Sequence, residues 1–95
     1  MTNHVATQVQ VTANYLPSPN QFRGDFARST VLAEVRTSIM QFFHVQDRTE
    51  GRKNYTYYLS FEGRRIDNLQ TTLDALVGND RHAAHFQLVE QIQEG

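Results

Sequence analysis

The sequence predicts an α+β domain in which a mixed four- to five-stranded sheet carries one long helix across one face. Three observations lead there. Apolar and polar residues alternate with period two over residues 9–15, 57–61 and 85–92, the pattern of half-buried strands. Leu32, Val35, Ile39 and Phe42 recur at three- and four-residue spacing, the pattern of a helix packed along one side. The segments run strand, strand, helix, strand, strand, final strand, an order that lets the first and last strands pair in parallel beneath the helix.

Taken in order, residues 1–8 are small and polar apart from Val5 and are expected to form a flexible arm. Residues 9–91 are expected to be the folded domain. Its first strand sets Val9, Val11, Ala13 and Tyr15 against Gln10, Thr12 and Asn14. Pro17 and Pro19 then force a turn. Phe22, Gly24 and Phe26 share one parity and form the second strand of a hairpin, with Gly24 as a candidate bulge. Ser29 or Thr30 is the expected cap of the long helix, whose wet face carries Glu34, Arg36, Thr37, Ser38 and Gln41. Residues 46–54 hold no apolar side chain and are expected to be a mobile connection. Tyr57, Leu59 and Phe61 make the next strand, Glu62-Gly63 turns it, and Arg64-Arg65-Ile66 is the short return. Thr72 caps one helical turn through Leu73, Leu76 and Val77, stopped by Gly78. In the last strand Phe86 and Leu88 share one face and Gln87 and Val89 the other, and residues 92–95 are expected to trail out as a flexible tail. The expected core is Val9, Val11, Leu32, Val35, Ile39, Leu59, Phe61, Leu73, Phe86 and Leu88.

Composition narrows the classes of function. Ninety-five residues with 39% hydrophobic content form one domain of modest stability. A net charge of −1 argues against general binding to nucleic acid or anionic membranes. The absence of cysteine removes disulfides, thiolate metal sites and cysteine nucleophiles. No apolar run reaches the ~20 residues of a membrane span, and the first residues lack the basic start and apolar centre of a signal peptide, so a cytoplasmic location is the expectation.

From Tyr58 onward the chain resembles the ubiquitin-like family. Leu59-Ser60-Phe61-Glu62-Gly63-Arg64 resembles ubiquitin's Leu-Ile-Phe-Ala-Gly-Lys. Leu73 falls on the leucine of its Thr-Leu-Ser-Asp-Tyr turn, and Phe86-Gln87-Leu88-Val89 falls on its Leu-His-Leu-Val, with equal lengths left to the two chain ends. The resemblance implies the β-grasp fold and a protein modifier joined through the carboxylate of Gly95, with Gln91, Ile92, Gln93 and Glu94 as the tail that an activating enzyme grips. Glycine suits that role because a side chain there would obstruct a narrow channel and the in-line approach to ATP. The carboxylate is ionised at neutral pH and needs no general base. Glu94 stands where ubiquitin has its penultimate glycine, and Gln91 and Gln93 where it has arginines, which implies a dedicated activating enzyme. The implied partners are an activating enzyme, a conjugating enzyme, a deconjugating protease and a target protein. Bacterial ubiquitin-like conjugation systems are the nearest analogy.

The family's apolar recognition patch corresponds here to Ser60 in place of isoleucine and Gln87 in place of histidine, with valine kept at Val89. Tyr58, Ser60, Gln87 and Val89 are therefore the candidate recognition surface, and Tyr58, Val89 and Ile92 a candidate apolar patch. His82 and His85, three apart on a strand, point to opposite faces and have no third ligand nearby, so no metal site is expected. Arg52-Lys53 and Arg64-Arg65 lack interleaved aromatics and read as solvated loop surface. No nucleophile motif is present, and neither intrinsic enzymatic activity nor a cofactor is expected. Two other functions stay open: a sulfur carrier, with a thiocarboxylate on Gly95, and a non-conjugated β-grasp interaction module.

Overall fold

The computed structural model describes residues 8–78 and 80–94. Its elements are β1 (Gln8–Tyr15), β2 (Gln21–Ala27), α1 (Leu32–Phe43), β3 (Arg48–Glu50), β4 (Lys53–Phe61), β5 (Arg64–Arg65), α2 (Leu73–Val77) and β6 (Ala83–Glu94). The sheet order is β2-β1-β6-β4-β3, with β5 paired to the outer side of β4. β1 and β6 run parallel at its centre, and the other pairs are antiparallel. This is the β-grasp arrangement that the element order predicts.

The core follows from the two periods. All ten expected core residues are buried, each at most 8% exposed. Ala13, Phe22, Met40, Tyr57, Val77 and Ala84 join them. Leu32, Val35 and Ile39 are fully enclosed, each contributing roughly 1.5–3 kcal/mol of burial before entropy. Phe42, expected in the same stripe, is 42% exposed because the helix has turned it past the sheet edge, where it meets Phe22 and Phe43 edge-on at centroid distances of 5.6 and 4.9 Å.

Five expectations are corrected. Neither Ser29 nor Thr30 caps α1. The helix starts after Val31, with no side-chain cap. The N–H groups of Leu32 and Ala33 instead donate to the carbonyls of Thr71 and Leu69, each at 2.8 Å, so the loop before α2 does the capping with its backbone. Gly24 marks no bulge, since β1 and β2 stay in continuous register and Val11 faces Gly24. Its missing Cβ leaves room for the rings of Phe22 and Phe26, which would stand 3.1 and 3.3 Å from one.

Residues 46–54 are not an open loop. Glu50 faces Lys53 across a two-residue turn, and Gly51 at φ +61° supplies the left-handed position such a turn requires. Finally, Gln91, Ile92, Gln93 and Glu94 are not a tail. They complete β6 in register with Thr56, Tyr55, Asn54 and Lys53 of β4. The pairing needs no apolar side chain because main-chain hydrogen bonds carry it, and the β3–β4 hairpin supplies the strand it pairs with. Gln8 likewise belongs to β1, opposite Ala27. The remainder of the expected arm, residues 1–7, lies outside the described residues.

Candidate functional site

The side of the sheet away from α1 collects the expected recognition residues. Tyr58 faces Val89 and Ser60 faces Gln87 across the β4–β6 ladder, so all four share one surface. The guanidinium of Arg65 on β5 lies 4.4 Å from the centre of the Tyr58 ring and donates to Gln91 Oε1 at 3.2 Å. An amide-rich band continues this surface, with Asn14 beside Gln87 on one side and Gln21 donating to Asn14 Oδ1 at 3.1 Å on the other. Leu16, at the end of β1, is 87% exposed and lines a cavity of about 250 Å3 with Pro17 and Val89. The sequence reading missed Leu16, although an apolar residue directly before two turn prolines is a legible signal. Ile92 does not join Tyr58 and Val89. It shares the parity of Phe86 and Leu88 and stands on the opposite side of the sheet.

That opposite side carries a second cluster beyond the end of α1, which sequence reasoning did not find. The Tyr57 hydroxyl, buried between strands, donates to Glu90 Oε2 at 2.7 Å and accepts from Arg48 at 2.9 Å. Arg48 also donates to Glu50 Oε2 at 2.7 Å and lies 4.0 Å over the Tyr55 ring. Burial, followed by the bond to Glu90, pushes the Tyr57 phenol up to about 12 against the opposing pull of Arg48. Hydrogen bonds to Glu50 and Tyr57 raise the already high value of Arg48 further. The row therefore runs Glu90, Tyr57, Arg48, Glu50, with the hydroxyl donating once and accepting once. The cluster lines one wall of a cavity of about 690 Å3 that also includes Tyr15, Met40, His44 and Val45.

A third polar group closes the outer side of β4. Neither β3 nor β5 reaches Tyr57 there. Arg36 of α1 donates to the Tyr57 carbonyl at 2.9 Å, and Asp47 accepts the Tyr57 N–H at 3.1 Å while also holding Arg36 at 2.9 and 3.0 Å. Ile66 N–H meets the Leu59 carbonyl at 2.9 Å.

The histidines are separate. His85 Nδ1 lies 2.8 Å from the Thr12 hydroxyl, and His82 Nδ1 accepts from Arg28 at 3.2 Å. Among the described residues, no group of three or more acidic or histidine side chains is placed to share an ion. No described helix is long and apolar enough to cross a membrane. Gly95, the expected conjugation residue, lies outside the described residues.

No family model matches the chain, and no curated protein matches it in sequence. Solved structures do. A ubiquitin of Caldiarchaeum subterraneum superimposes with a TM-score of 0.68 at 14% identity, over 93% of this chain and 99% of that one. The ubiquitin-like domain of an Arabidopsis thaliana protein matches with a TM-score of 0.63 at 11% identity, over 93% of this chain and 82% of that one. The N-terminal ubiquitin-like domain of the 4931431F19Rik protein matches with a TM-score of 0.62 at 14% identity, over 99% and 86%. At such identities the likeness is one of fold, and the fold is ubiquitin-like.

Proposed function

We propose that this chain, having a ubiquitin-like β-grasp fold, is a protein modifier joined to its targets through Gly95. The Gly95 carboxylate attacks the α-phosphate of ATP on an activating enzyme and releases pyrophosphate. The acyl group then passes to a conjugating-enzyme cysteine with loss of AMP, and from that thioester to an amine of the target. The proposed setting is the cytoplasm of a bacterium, with a deconjugating protease to reverse the bond. The observation that supports this reading is the central β6, which runs from the fold's core straight to residue 94 and delivers Gly95 next. The experiment is incubation with the cognate activating enzyme and ATP, followed by addition of the conjugating enzyme and the target, read by intact mass and peptide map. The acyl-adenylate and then an isopeptide link at Gly95 are expected, and Gly95→Asp should form neither. Conjugates that persist with Gly95→Asp, or a peptide map placing the link elsewhere, overturn the reading. A gain of sulfur at the same carboxyl would make the chain a sulfur carrier instead.

One observation favours a second reading, a non-conjugated interaction module. Residues 91–94 are laddered to β4, which commits to the sheet the stretch that an activating enzyme would grip. Use of the carboxylate as a substrate therefore requires those four pairs to open. An interaction module would leave them closed and be indifferent to Gly95→Asp in every assay of binding.

A further inference from the structure

Among the described residues, β6 has a strand on both sides only as far as Leu88. β1 ends at Tyr15, which is in register with Leu88. From Val89 to Glu94 the strand keeps β4 on one side and is open on the other. The hydrogen bond from Gln10 N–H to the His82 carbonyl identifies the even-numbered residues of β6 as those whose main-chain groups face the β1 side. The N–H and C=O groups of Glu90, Ile92 and Glu94 therefore point outward from the open edge, while those of Val89, Gln91 and Gln93 face β4. The stretch contains no proline or lysine, and the charges that guard it against unselective pairing are Glu90 and Glu94.

The surroundings of this edge have a definite chemistry. On the α1 side the bordering side chains are Glu90, Ile92 and Glu94: acid, apolar, acid, with Ile92 49% exposed. The 690 Å3 cavity opens beside Glu90, between Tyr15, Met40 and Val45. Glu90 uses one oxygen for the Tyr57 hydroxyl. The nearby guanidinium of Arg48 is matched by Glu50, which leaves Lys53, opposite Glu94, as the one further cation among the described residues set against the two acids.

We propose that this edge is the docking site of a partner protein's extended segment, which adds to β6 as a further strand. Its side chains on the α1 side are basic, apolar and basic at alternate positions. Main-chain bonds to Glu90, Ile92 and Glu94 give affinity. Cross-strand neighbours on one face lie about 4.5–5.5 Å apart, so a basic residue settles its stem in the cavity against Glu90, an apolar one covers Ile92, and a second basic one meets Glu94. A second copy of this chain fits less well, because pairing Ile92 on Ile92 sets Glu90 against Glu94 twice, and like charges directly opposite are destabilising.

The test uses the full chain, isotopically labelled, and a short synthetic peptide with Lys, Val and Arg at alternate positions separated by Thr. Amide shifts are expected at Glu90, Ile92 and Glu94. Ile92→Pro removes an outward N–H and leaves the β4 ladder intact, so binding should weaken about tenfold or more. Should proline disturb the strand, the peptide carries the same test. N-methylation of its amides facing β6 should abolish binding, and N-methylation of those facing away should not. Shifts centred elsewhere, equal binding by Ile92→Pro, or equal binding of a peptide whose bases are moved to the other face would overturn the proposal. So would a concentration-dependent dimer joined through this edge.

Discussion

Tyr57 shows how one residue type can serve two purposes on a strand. Its ring takes an apolar position in the core, and its hydroxyl reaches the boundary, where Glu90 and Arg48 satisfy it. The phenol's ordinary value is 10.0, and the folded chain holds it at about 12. Between those two pH values the folded state keeps a proton that the unfolded chain has released, so stability falls as pH rises through that window and is undiminished below it. Melting curves of the parent and Tyr57→Phe should therefore converge as pH is raised from 10 to 12, since the variant has no proton to lose there. Curves that keep a constant separation across the window would show that the phenol titrates normally. The ring's place in the core was readable from its parity with Leu59 and Phe61. The hydroxyl's partners were not, because they lie 9 and 33 positions away in polar surroundings. Their one trace is an acid, Glu90, on the apolar parity of the last strand.

At the scale of elements, β4 illustrates how a strand with two short neighbours is completed. β3 and β5 cover its ends, and the Arg36–Asp47 pair serves the gap at Tyr57. Asp47→Ala should cost about 1–3 kcal/mol, because it leaves the Tyr57 N–H and the largely buried Arg36 guanidinium short of a partner. Denaturant unfolding that places the variant within a few tenths of the parent would assign the closure to water instead. α2 was legible to the residue: Thr72 accepts the Ala75 N–H at 3.1 Å, and Gly78 ends the turn at φ +80°. β3 and the last residues of β6 were not legible, because β3 is all polar and residues 91–94 hold one apolar side chain, Ile92, so main-chain bonds carry both with no hydrophobic period to read. The start of α1 was misplaced for a related reason. Its first N–H groups are met by carbonyls some forty positions away rather than by a neighbouring side chain.

For the whole molecule, strength resides where the sheet centre meets α1. Leu88 of β6 is 1% exposed and Val35 of α1 is fully buried. Replacing either with alanine should cost on the order of 2–4 kcal/mol, a large share of a small domain's stability. Thermal melts within a degree or two of the parent would reject this core. The resemblance to ubiquitin picked out Tyr58, Ser60, Gln87 and Val89 as the candidate surface, strand parity put them on one face, and the structure brings all four together. What no local pattern conveyed was how far β6 runs beside β4 after β1 has stopped. The central parallel pair also constrains the history of each molecule. It joins Gln10 to Ala83 and Tyr15 to Leu88, so the middle of the sheet is absent until β6 has been synthesised. A nascent chain lacking β6 exposes the inward faces of β1, β4 and α1 with nothing to close over them. Folding must then await the emergence of β6, and this long-range closure is its slow step.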